Sequence, residues 1–125
     1  MAVTKTSYST PKNILIGQDS YHIALGARVT NTGVEADANG KKILYAGTPL
    51  KGDIAKRDTA FVLGADDSTA VLLHDVDVTN GEENATIVLA GCIDLLKLKD
   101  ETKALLTEEV KGALSRIIFV EGSVI

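Results

Sequence analysis

Between residues 20 and 92 the chain is interrupted every few residues by a turn signal, so no long helix fits there. Asn31 to Gly33, Asn39-Gly40, Gly47-Thr48-Pro49-Leu50, Gly64 to Ser68 and Asn80-Gly81 punctuate short apolar runs. Asn-Gly in particular favours tight hairpins, because both residues tolerate positive φ. The runs between them are strand-like. Ile23, Leu25 and Ala27 alternate with Ala24, Gly26 and Arg28, and Lys42–Ala46, Ala60–Leu63 and Thr69–His74 follow. Thr86-Ile87-Val88-Leu89-Ala90 is continuously apolar, which predicts a central strand buried on both faces. Thr, Val and Ile total 33 residues, against five aromatics, which again favours strands over an aromatic-rich interior.

One region has helical periodicity. Leu106, Val110, Ala113, Leu114 and Ile117 form an apolar stripe, predicting one short helix over roughly 101–115 with Asp100 or Thr107 as N-cap. Gly112 weakens its interior. Ile117–Val120 then reads as a strand. At the other end, Thr4, Thr6, Ser7, Ser9 and Thr10 crowd the first ten residues, and Pro11 follows. Such a stretch buries too little apolar surface to offset its ordering entropy, so residues 1–16 read as a flexible N-terminal arm and 17–125 as one β-rich domain. The expected class is mainly β, with that single helix near the C-terminus.

Charge is unevenly placed. Residues 1–59 hold eight Lys/Arg and five Asp/Glu, and residues 60–125 hold five and twelve. Neither half has the clustered basic face of a nucleic-acid binder, no apolar run reaches the 18 or so residues of a membrane span, and the opening residues lack a secretory pattern. No nucleic-acid or membrane partner is therefore expected.

Candidate chemistry is sparse. Gly47–Gly52 has the glycine spacing of a phosphate loop but continues into Asp53-Ile54, without the lysine and hydroxyl that such a loop needs. His74, Asp75 and Asp77 form the one metal-like cluster, but strand alternation would send His74 and the two aspartates to opposite faces. A small metal-dependent hydrolase using His74/Asp75/Asp77 is thus a minor alternative. Cys92, between Gly91 and Ile93, reads as a buried, inert thiol rather than a nucleophile paired with His22 or His74. Asn84-Ala85-Thr86 matches a glycosylation pattern. No catalytic residue, cofactor or metal is expected.

Several of these features occur together in a recognisable order. A Ser/Thr-rich arm precedes the Ala46-Gly47-Thr48-Pro49-Leu50 turn, then Ala65-Asp66-Asp67-Ser68-Thr69-Ala70-Val71 and Leu72-Leu73-His74-Asp75-Val76-Asp77-Val78-Thr79-Asn80-Gly81. Thr86 to Leu96, a helix-like stretch and an apolar end from Ile117 to Ile125 complete the layout. This resembles the head-decoration (capsid-stabilising) proteins of tailed bacteriophages, the lambda D-like group, as found in phages and prophages of Gram-positive bacteria. The resemblance spans roughly residues 40–125, and residues 17–40 are extra relative to the smallest members.

The resemblance implies a small β-clip-like domain that binds the outside of the capsid as homotrimers at threefold and quasi-threefold positions, after the shell expands. The partner would be the major capsid protein, and the location the outer virion surface after synthesis in the host cytoplasm. The arm would dock on the shell through Val3, Thr4, Lys5, Thr6, Tyr8 and Lys12. Thr48, Pro49, Leu50, Val124 and Ile125 would contribute trimer contacts. A related alternative is the capsid-attached base of a head fibre.

Overall fold

In a computed structural model, residues 14–15 and 22–121 are described. The chain is mainly β, with short helices near its C-terminal end. The strands are β1 (Ile23–Val29), β2 (Ile43–Leu44), β3 (Pro49–Lys51), β4 (Val62–Leu63), β5 (Ala70–Leu72), β6 (Val76–Asp77), β7 (Glu83–Asp94) and β8 (Ile117–Val120). Two helices, α1 (Asp100–Leu105) and α2 (Glu108–Ala113), lie between β7 and β8.

Antiparallel pairing gives the order β1-β7-β5-β3-β4. The sheet then curls until its ends meet. Val29 bridges Phe61, with Phe61 N–H donating to Arg28 O at 2.8 Å and Thr30 N–H to Phe61 O at 3.0 Å. Five strands thereby close a small barrel, which removes the exposed edges an open sheet would carry. Its interior is filled by Ala27, Val29, Leu50, Phe61, Ala70, Leu72 and Ile87, with Leu44 and Val78 of the β2–β6 ribbon region packed into the same cluster.

A second core lies outside the barrel wall. Val71 and Val88 point away from the interior into a cluster with Ile14, Ile93, Leu98, Leu106, Val110, Leu114 and Ile117. Residues 70–72 and 87–88 therefore alternate between two cores, and both faces of these strands are covered. That accounts for the continuous apolar run from Ile87 to Ala90 and agrees with the expected central strand.

The single helix expected over 101–115 is instead two, each of six residues. Leu106 ends α1 at ψ 70°, and Thr107 restarts the helix, its Oγ1 accepting from Val110 N–H at 3.4 Å. The break lets Leu106, Val110 and Leu114 all reach the second core. Each helix carries acidic residues in its first turn and a lysine towards its end, the arrangement the helix dipole favours.

The run Gly47-Thr48-Pro49-Leu50 was expected as a turn and is only partly one. The turn is Tyr45–Thr48, where Thr48 N–H and Oγ1–H both donate to Tyr45 O, at 3.1 and 2.6 Å. Pro49 opens β3, between β4 and β5, where a strand's first residue tolerates a missing N–H. Ile14 and Leu15 lie within the segment read as arm, yet Ile14 is fully buried and Leu15 bridges Ile93. The packed domain thus begins before residue 17.

Candidate functional site

The C-terminal half of β7 organises one end of the molecule. Gly91–Asp94 pair in parallel with Ile117–Val120 on one side. On the other side Leu15 bridges Ile93 in antiparallel sense, and Asp94 N–H donates to Ile14 O at 2.8 Å. Asp94 itself is buried, and its Oδ1 accepts from Leu96 N–H at 3.0 Å, capping the 3-10 turn Leu95–Lys97. Because Leu15 runs against β7 and β8 runs with it, Ile14 and Val120 both lie at the Asp94 end of the sheet.

Val3, Thr4, Lys5, Thr6, Tyr8 and Lys12, and also Val124 and Ile125, lie outside the described residues. Thr48, Pro49 and Leu50 do not lie on a free surface. Thr48 is 3% exposed, Leu50 is fully buried and Pro49 is among the fully buried side chains. Their side chains serve the chain's own packing. The exposed large apolar side chains among the described residues are Leu96, Leu105 and Ile118, the last at 63%. Ile118 was missed because an apolar residue in an apolar strand reads as core.

The residues weighed for catalysis are engaged locally. Asp75 Oδ1 accepts from Ala46 N–H at 2.8 Å, anchoring the Tyr45–Thr48 turn. Asp77 Oδ1 accepts from Thr79 N–H at 2.9 Å and from Thr79 Oγ1–H at 2.5 Å. The hydroxyl bond, then the backbone bond, holds the Asp77 carboxyl below its ordinary value. Asp67 is lowered likewise, first by the Ala65 backbone and then by Lys51, which lies 3.1 Å away. His74 is exposed, and no group of three His, Cys, Asp or Glu able to hold a metal ion occurs among the described residues. Cys92 is half-buried on β7 rather than fully buried.

The phosphate-loop-like stretch commits its backbone to the sheet. Gly47 N–H donates to Leu72 O at 2.7 Å, and Gly52 N–H to Thr69 Oγ1 at 3.2 Å. These amides cannot also cradle an anion.

Three of the eight Lys/Arg of residues 1–59, Arg28, Lys56 and Arg57, line an open cleft of about 550 Å³ with Asp58 and Asn84 beside small residues. Arg57 is locked there, its Nε donating to Gly26 O and its Nη1 to Ile54 O, both at 2.9 Å. Arg28 faces Glu82 at 3.2 Å. No helix is long and apolar enough to cross a membrane among the described residues. Comparison with protein-family models finds no match, and neither does comparison with curated protein sequences.

Proposed function

We propose that this chain is a structural virion protein that decorates and stabilises the outside of a tailed-phage capsid, as homotrimers at threefold and quasi-threefold positions, with the major capsid protein as its partner. The observation that carries the reading is that Ile14 and Val120, though far apart in sequence, flank Asp94 on opposite sides at one end of a closed barrel. A domain that must grip a surface through extended segments gains from this arrangement, since both segments reach the same surface without distorting the barrel. The decoration-protein resemblance of residues 65–81 supplies the identity of that surface.

The test is direct. Protein added to expanded, undecorated capsids should saturate at three chains per threefold or quasi-threefold position, and should raise the temperature at which the particles release DNA. Failure to bind expanded capsids, or absence of the chain from purified virions, would refute the reading.

A further inference from the structure

Closing the barrel leaves the six-stranded sheet with an unusual loose end. β8 pairs with β7 alone among the described residues. In a parallel ladder alternate residues point their backbone groups at the partner strand. Gly91 N–H donates to Arg116 O at 3.2 Å, which fixes the phase. Ile118 and Val120 thus direct their N–H groups towards β7, while Phe119 and Glu121 direct theirs outward. Ile117 N–H is taken by Leu114 O at 3.0 Å. The outer edge therefore offers the N–H of Phe119 and Glu121 and the carbonyls of Ile117 and Phe119.

The chemistry of this edge is open to an added strand. Native edges are usually blunted by charge, proline or a covering segment. Ile-Ile-Phe-Val carries neither charge nor proline, and Ile118 is 63% exposed. Lys111 sits over the Phe119 ring at 5.9 Å, on the face away from Ile118. Extended backbone with small or aromatic side chains is the chemistry that fits.

We infer that β8 is a strand-addition site, and that its occupant is the segment Val3–Ser9 of a second copy of this chain. Three observations select it. First, Val3-Thr4-Lys5-Thr6-Ser7-Tyr8-Ser9 is β-compatible and has no proline, and the first 18 residues contain Lys5 and Lys12 and no acid. Glu121 directly follows β8, and Glu108 and Glu109 open the helix packed beside it, so acid meets base. Second, four residues, Thr10–Asn13, link that segment to Ile14, an extended reach of about 17 Å, a little over the radius of gyration of about 14 Å for a domain this size. Third, a chain's own arm starts on the far side of β7 from β8, at Leu15. It would have to cross about 14 Å of strand spacings and then reverse direction. A neighbour's arm arrives without that reversal. Each arm passed to the next copy is a heterologous contact, which closes as a ring of three when successive copies are related by a third of a turn.

The inference rests on the trimer part of the proposed function and names its contact. An added strand also keeps its own outer edge, so the arm can pair with β8 on one side and with the shell on the other.

The test needs no capsid. Full chain at about 100 μM should sediment as a trimer, an expectation from ring closure, with the Phe119 and Glu121 amides protected from hydrogen exchange. Deleting residues 2–12 should give a monomer in which both amides exchange about 100-fold faster, as unpaired edge groups do. Thr6→Pro, which removes one donor within the arm, should weaken the trimer about tenfold or more. A trimer that survives the deletion, a monomeric full chain, or protected amides in a monomer would each overturn the inference. Capsid binding by a protein that fails these tests would leave the decoration reading standing, and exchanged-arm trimers that ignore capsids would leave this inference standing.

Discussion

Val29 and Phe61 bridge each other in parallel across the seam between the first and fourth barrel strands, and both are fully buried. Their contact joins residues 32 apart in sequence and turns an open sheet into a closed one. Phe61→Ala should therefore cost more than its lost area alone, because the seam cannot collapse around the gap: about 3–5 kcal/mol. Ile118→Ala, on the exposed face of β8, should change stability by no more than about 0.5 kcal/mol. Urea denaturation of the two variants measures both, and equal effects would mean that the seam carries no special weight.

Gly47 sits at φ +96°, and a Cβ there would meet Leu98 Cδ2 at 2.5 Å. Gly47→Ala thus combines backbone strain with a clash into the second core and should destabilise by about 1–3 kcal/mol. Gly26 has open space around it. Gly26→Ala should fold with almost unchanged stability, and a thermal melt in which both variants shift alike would contradict this account.

The acid limb of stability should report on Asp77. Its folded-state pKa lies below the ordinary 3.8 because Thr79 donates to it. A depressed carboxyl favours the fold above the unfolded-state value, and that contribution is lost as pH falls through the lowered one. Carboxyl NMR should place the Asp77 midpoint below 3.8. Thr79→Val should move it upward and flatten the pH-dependent part of stability in that acidic window. No movement on Thr79→Val would remove the hydroxyl as the cause.

Ordering a dozen arm residues costs on the order of 12–24 kcal/mol, which Val3 and Tyr8 cannot offset alone. Backbone pairing must supply the rest, so deletion of residues 2–12 should lower occupancy on expanded capsids at least tenfold while the barrel still folds. Gel analysis of decorated particles decides it. Undiminished occupancy would move the shell contact onto the barrel itself.

The sequence carried the strands better than their arrangement. The run Ile87–Ala90 announced burial on both faces because no polar residue interrupts it. Val29 and Phe61 gave no such sign, since a seam depends on how far the sheet curls rather than on local pattern. The expected single helix failed at Thr107 for a readable reason: a good N-cap in mid-pattern restarts a helix. Pro49 misled in the opposite direction, because a proline that ends a turn can equally begin a strand. The exposed side of Ile118 was hidden, as strand alternation cannot say which neighbour is missing.

The placement of Ile14 and Val120 at one end of β7 also has a mechanical consequence. A pull on Ile14 and Glu121 together, directed away from that end, acts along the strands, not across them. The bond from Asp94 N–H to Ile14 O and the ladder that ties Gly91–Asp94 to β8 would be loaded in shear, all at once, whereas a pull across the sheet would unzip them singly. A closed barrel behind that shear joint has no free edge of its own from which to peel, so tension on the two ends should be borne by the joint as a unit before the barrel yields.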